Sequence, residues 1–429
     1  MKRELTVLCL AALTALAEPP QLRLAGDWEI DVTWNGQTTR VAIQPPTPTA
    51  VTGERHGSLR PYRADGGGWT RGTAPLGIKA QECTVRNALV PDSLVVRTGD
   101  LVLRRGRDYE LTPDWGTVGR LPDGELREGQ GVTLDYTHHT SRLDAIVADA
   151  DGRIAVRRGR PHVANPEPAP LAPGDRRLAA VWLPLGVPRL TEASLMPVLE
   201  DRYPEPPRTS PTSAERLIPK ALARLKAGQR LRVLAWGDSV TVGTFVPDWQ
   251  RNRWQEQFVA RLRQRFPSAD IELVTEAWGG RNSSTYLAQP PGAEHNYREK
   301  VLDARPDLIV SEFVNDAWYD QNKVREVYGR LRDDFRAIGA EWIILTPHYV
   351  RPDWMDLKSE SHIDDDPRPY VAALRRFAAD NGIALADASL RWGRLWRQGI
   401  PYSTLLLNAI NHPNALGMSL FADALMALF

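Results

Sequence analysis

Five apolar runs, LRVLAW, IELVTEAW, LIVSEFV, WIILTPHYV and GIALADAS, punctuate the C-terminal half of the chain, and helical periods fill the segments between them. Runs that are apolar throughout suit strands covered on both faces, so this half is expected to fold as a parallel sheet between two helical layers. In NKVREVYGRLRDDFRAIGA, residues Val324, Val327, Tyr328, Leu331, Phe335 and Ile338 fall on one stripe, as do Trp254, Phe258 and Leu262 in the preceding helix. These side chains are assigned to the core.

The first half reads differently. From Leu22 to about Glu200, runs such as DWEIDVTW, LVVRTGDLVLRRG and GVTLDYTH alternate apolar with polar residues between Gly, Pro, Asn and Asp turns, the pattern of an antiparallel β-sandwich. Trp28, Trp34, Trp69 and Trp115 in this half suit either a sugar-binding face or, more commonly, a sandwich core. Proline then becomes dense in YPEPPRTSPT. The expected organisation is a β-sandwich accessory domain over residues 18–203, a Pro-rich linker over 204–214 and an α/β/α domain over 215–429.

Residues 1–17 join Lys2 and Arg3 to a short apolar run and end in Ala15-Leu16-Ala17, which resembles a secretory signal peptide cut after Ala17. The alternative is an N-terminal core helix; the run is too short for a membrane span. The expected location is therefore secreted or periplasmic. Cys9 lies in the leader without the small residues that precede a lipoprotein cysteine, and Cys83 then stands alone, buried and without a disulfide partner. Lys and Arg number 54 against 53 Asp and Glu, for a net charge of +1, so nothing marks a nucleic-acid or membrane partner.

In an open parallel sheet, ligands bind beyond the carboxyl ends of the strands. The first apolar run there leads into Gly237-Asp238-Ser239, the second into EAWGGRNSS with Gly279 and Gly280, and the third into FVNDAW with Asn315 and Asp316. Near the C-terminus stands NAINHPNALG, with His412 before Pro413. A serine hydroxyl is a weak nucleophile that needs a neighbouring base such as histidine, and a tetrahedral intermediate needs donors aimed at its oxyanion.

In this order the four segments resemble the blocks of the SGNH hydrolases, the GDSL esterase family, and GGRNS is similar to the second block of the rhamnogalacturonan acetylesterase type. The resemblance covers Leu217 to Phe429. It implies Ser239 as nucleophile, His412 as general base, and an oxyanion hole made by the backbone N–H of Ser239, the backbone N–H of Gly280 and the Asn315 side chain. It implies no cofactor and no metal. Other hydrolase plans fit less well: Thr241 occupies the last glycine of a G-x-S-x-G elbow, no H-E-x-x-H is present, and His138 and His139 point to opposite faces of a strand.

One position departs from the pattern. The family's aspartate, three residues before the histidine, is Ala409, and neither Asn408 nor Asn411 offers a carboxylate. Three arrangements are open: a Ser/His dyad oriented by a backbone carbonyl, an acid donated from elsewhere, or a degraded enzyme. Related polysaccharide esterases with an INHP-like block favour the first two. Asp387 is the best-placed remote acid by position, although a cap or turn role is the commoner one there, Asp316 is expected to support its own loop, and Asp238 to bond neighbouring backbone; none is assigned a catalytic role.

Trp278 and Trp318 flank the oxyanion motifs, and Trp249, Trp354 and His348 fall on loops beyond strand ends. Aromatic rings at a wet cleft suit the apolar faces of sugars, so the expected activity is removal of acetyl or other short acyl groups from an acylated polysaccharide. The alternatives are a lipid or thioester acylhydrolase, which needs an apolar acyl tunnel, and a non-catalytic carbohydrate-binding protein with a degenerate hydrolase domain. The oligomeric state is not legible.

Overall fold

The computed structural model describes residues 18–243 and 245–429. The proposed leader, residues 1–17 with Cys9, lies outside the described residues. No described helix is long and apolar enough to cross a membrane.

The C-terminal region is built on five parallel strands in the spatial order Asp270–Ala277, Arg230–Gly237, Leu308–Glu312, Glu341–Leu345 and Ala384–Ala386. Each coincides with one of the apolar runs, and both faces are covered. Leu231, Val233 and Ala235 of the first strand, in chain order, point into a core shared with the helices Pro219–Lys226, Trp254–Arg265 and Ala415–Met426. Their neighbours Leu234 and Trp236 point into the opposite core, under Gln321–Ala337 and Pro369–Asn381. This period-two alternation requires apolar residues at successive positions, which explains the unbroken runs. The stripe on Gln321–Ala337 is buried as expected at Val324, Val327, Tyr328, Leu331 and Phe335. Ile338 is the exception: it caps the helix and is 37% exposed, because the stripe ends with the helix.

The strand Arg230–Gly237 pairs with Asp270–Ala277 on one side and Leu308–Glu312 on the other. The chain reverses its direction of travel across the sheet here, so the crevice at this strand's carboxyl end is where such a fold opens to a ligand.

The N-terminal region is antiparallel. The meander Gln21–Gly26, Glu29–Trp34 and Gln37–Ala42 packs on the sheet of Ile154–Arg157, Arg142–Ala148, Arg176–Leu183 and Leu195–Pro197, burying Ile30, Val32, Ile146 and Val181 between them. A second four-stranded sheet, which includes Thr49–His56 and Val132–His138, encloses a separate core with Val96, Val118 and Leu134. The N-terminal region thus has two separate apolar cores. Trp28 and Trp34 pack against the first, which is the structural role that composition made the commoner one.

The two regions are fastened at Glu360 and along residues 391–412. Trp182 Nε1 donates to Glu360 at 3.0 Å, Leu199 N–H donates to Arg397 O at 2.7 Å, and Arg391 pairs with Glu205 at 2.6 Å. Asn165 Nδ2 donates to Leu406 O at 2.8 Å.

Gly237 ends the first strand in a place no side chain fits: an added Cβ would lie 2.2 Å from Thr241 Oγ1 and 2.3 Å from the carbonyl oxygen of Glu312. Because one obstacle is backbone of the adjacent strand, Gly237→Ala is expected to lower unfolding stability by about 2 kcal/mol or more, read from the shift in denaturation midpoint.

Candidate active site

The turn after the first strand is shaped by Asp238. Its carboxylate accepts from Val240 N–H at 3.0 Å, capping the short helix Ser239–Val242, and from Asn315 N–H at 2.9 Å. One buried side chain therefore fixes both the serine and the asparagine block. Burial, followed by the nearby Asp316 charge, raises the Asp238 pKa, and the backbone N–H donors oppose that shift. Ser239 itself is half-buried at the mouth of the sheet.

The glycine block lies beside it. A Cβ built on Gly279 would stand 3.8 Å from Ser239 Cβ, and Gly280 adopts a left-handed φ of 70°, which glycine tolerates without strain. Asn315 Nδ2 donates to Arg281 O at 3.3 Å, tying the asparagine loop to the glycine turn, and its second N–H remains for another acceptor. Asp316 supports the same loops, accepting from Ser283 N–H at 2.9 Å, Ser283 Oγ at 2.7 Å and Tyr328 OH at 2.9 Å.

His412 arrives from 173 positions away in sequence, and its Nε2 stands 3.1 Å from Ser239 Oγ. Three blocks of the expected constellation, carrying Ser239, Gly280 and Asn315, follow three adjacent strands and meet the fourth at the carboxyl edge of the sheet. The histidine is held by Asn408, whose Oδ1 accepts from the N–H groups of Ile410 (3.0 Å), Asn411 (2.9 Å) and His412 (3.0 Å). Phe245 stacks on the imidazole with 5.2 Å between centroids and 21° between planes. Asn414 caps the following helix by accepting from Gly417 N–H at 2.9 Å.

The aspartates considered as remote acids are occupied elsewhere. Asp387 binds Thr346 Oγ1 at 3.0 Å, Arg375 Nε at 2.7 Å and Ser389 Oγ at 2.8 Å. The carboxylate that does face His412 comes from the N-terminal region: Glu82 Oε1 is 3.3 Å from His412 Nδ1 and accepts from Asn408 Nδ2 at 3.0 Å. Sequence reasoning missed Glu82 because nothing around it in KAQECT signals a partner more than three hundred residues away. Asn408 was visible only as a neighbour lacking a carboxylate; its Asn-x-x-Asn-His spacing is the signal of a side chain that folds back on its own loop.

The aromatic residues divide. Trp318 is 87% exposed and Trp354 47% exposed, and both line a cleft of about 830 Å³ together with Asn315, Tyr319, Arg368 and Asn411. Trp278 instead stacks on His295 at 4.6 Å, and Trp249 packs against the core under Arg253. His348 is fully buried and donates from Nε2 to Asn411 O at 2.7 Å, so it braces the histidine loop instead of lining the cleft.

Residues 235–420 match the GDSL-like Lipase/Acylhydrolase family. No curated protein matches the chain. Among solved structures it is similar to a two-domain esterase active on acetylated mannans, at 18% identity over 50% of this chain and 53% of that one, with a TM-score of 0.39. It is similar also to a variant of an acetyl xylan esterase from Geobacillus stearothermophilus (17% identity, 46% of this chain, 94% of that chain, TM-score 0.37). The chain thus spans about half the length of the mannan-active relative.

Removing the Asn408 carboxamide strips three backbone donors of their acceptor. Asn408→Ala is expected to cost about 2 kcal/mol or more of stability and to slow ester turnover by about tenfold or more, measured on protein shown to be folded by circular dichroism.

Proposed function

We propose that the chain is a serine esterase that removes acetyl or other short acyl groups from a polysaccharide outside the cytoplasm. The observation that carries this reading is the 3.1 Å approach of His412 Nε2 to Ser239 Oγ at the switch point of the sheet. Export rests on the leader-like character of residues 1–17.

In the first half-reaction Ser239 Oγ attacks the acyl carbon while its proton passes to His412 Nε2. The backbone N–H groups of Ser239 and Gly280 and the free N–H of Asn315 hold the oxyanion. Collapse breaks the ester C–O bond, and the sugar alkoxide leaves with the proton from Nε2. Water then repeats the sequence: His412 takes its proton, the hydroxide adds to the acyl carbon, and Ser239 departs with the proton from Nε2, leaving the carboxylic acid, which loses its proton to solvent.

Burial lowers the His412 pKa, and the Glu82 charge opposes that shift. The base works when neutral, and its folded pKa lies below the usual imidazole value of about 6.5. The acid limb of kcat/KM is therefore expected below about pH 6.5, measured on a soluble acetyl ester; a limb above it would contradict the assignment of the base.

The cleft bordering Asn315 offers Trp318 and Trp354 as ring-stacking surfaces. Asp320 and Asp356 also line it, whereas its arginine, Arg368, is held by Asp366 at 2.9 Å. Acidic walls favour an uncharged glycan over one rich in uronates. Acetylated neutral glycan is expected to be deacetylated at least about tenfold faster than acetylated pectic polymer, followed by acetate release.

Ser239→Ala and His412→Ala are each expected to abolish acetyl-ester turnover, with a double variant no worse than either, because the pair acts as a unit. Asn315→Ala should lower kcat by about a hundredfold with little change in KM, the signature of a donor acting on the transition state. Wild-type turnover by Ser239→Ala would overturn the reading.

A further inference from the structure

We infer that Glu82, carried by the N-terminal β region, orients and tunes His412, so that the reactive constellation is complete only where the two regions meet. This inference rests on the Ser239/His412 reading above. For Nε2 to accept the serine proton, Nδ1 must carry hydrogen and needs an acceptor. Two groups face Nδ1: Asn408 Nδ2 at 3.1 Å and Glu82 Oε1 at 3.3 Å. The amide of Asn408 is pinned by the three N–H groups bonded to its oxygen, so it turns its NH2 toward the ring. An NH2 and an N–H are both donors and cannot satisfy one another. The acceptor is therefore Glu82, and Asn408 donates to the same carboxylate oxygen at 3.0 Å, steadying it.

The approach of Glu82 is built into the fold. It sits in the turn between the strands Lys79–Ala80 and Cys83–Thr84, where Gln81 takes a left-handed φ of 57°. On one side of it, buried Cys83 donates to Asn408 O at 3.3 Å and packs with Trp115 and Ile410. On the other, Arg86 crosses the interface to Asp353 at 2.9 Å. Ala409, which stands where the family places its aspartate, has a left-handed φ of 55° and packs against the β-region core. The position that would carry a local acid is thus given over to the interface that delivers a distant one.

Other ionisable groups near the ring do not compete. His348 is held neutral by burial, then by the Arg368 charge, and its Nε2–H is committed to Asn411 O. Arg351, under the histidine loop, is paired with Asp353 at 2.6 Å. Glu82 supplies a charge that opposes the effect of burial on His412. Glu82 is a positioning residue: it touches the base and not the substrate.

The test follows phosphonylation of Ser239 by a fluorophosphonate probe, read by intact mass across pH, which needs no knowledge of the natural glycan. Glu82→Gln keeps the shape of the side chain and removes its charge. Labelling at the pH plateau is expected to slow at least about tenfold, less than the ten-thousandfold loss of a fully buried triad acid in a serine protease, because Glu82 is 35% exposed. The acid limb should also move to lower pH, since the charge that raises the His412 pKa is gone. Arg86→Ala, which loosens the same interface without touching His412, should leave both plateau and limb where they are. A purely structural role for Glu82 would lower the labelled fraction without moving the limb. Wild-type rate and limb in Glu82→Gln, with Ser239→Ala unlabelled, would overturn this inference alone. Absence of labelling at Ser239 in the unaltered protein would overturn the esterase reading and this inference with it.

Discussion

For His412 to act as the proposed base its second ring nitrogen must be fixed, and that fixation is spread over a loop with little regular structure of its own. The segment 404–413 is held by the Asn408 carboxamide from within and by the β region from outside, through Asn165, Cys83, Trp115 and Glu82. Were the loop free, its unpaired N–H groups would hydrate and the imidazole would turn away from Ser239. The β region is therefore best understood as a seat for the histidine loop, and Trp69 and Trp115, which pack at 5.0 Å beneath it, as part of that seat.

The serine side relies on a different device. Asp238, Glu312 and Asp316 are all fully buried near the end of the central strand, and burial raises the pKa of each; for Glu312 the neighbouring Asp238 and Asp316 charges add to the effect. Two of the three are consumed in holding backbone: Asp238 joins the serine turn to Asn315, and Asp316 joins the asparagine loop to Ser283. Buried carboxylates that accept several donors rigidify the turns around them. Ser239 and Asn315, the proposed nucleophile and oxyanion donor, are in this way set by carboxylates buried beneath them.

The parallel sheet was legible because both of its faces are buried, which leaves unbroken apolar runs in the sequence. The strand-end motifs were legible because glycine, asparagine and histidine beyond such runs have few other reasons to be there. What was not legible depended on contacts between distant segments. Asp387 had the strand position of a remote acid as well as of a turn residue, and only the fold shows that Arg375 and Thr346 take it up. His348 looked like a cleft residue by the same reasoning, yet the loop folds over it. Glu82 carries no local signal, since its neighbour in space is set by how two regions dock. Of the tryptophans, only the exposure of Trp318 and Trp354 separates them from those that pack.

The coupling between the two regions can be measured at the base itself. An NMR titration of the His412 imidazole, in Ser239→Ala protein with and without Glu82→Gln, reads the charge of Glu82 where it acts. The account predicts a midpoint below that of a free imidazole in the first protein and a lower one again in the second. Equal midpoints, or a rise on removing Glu82, would contradict it.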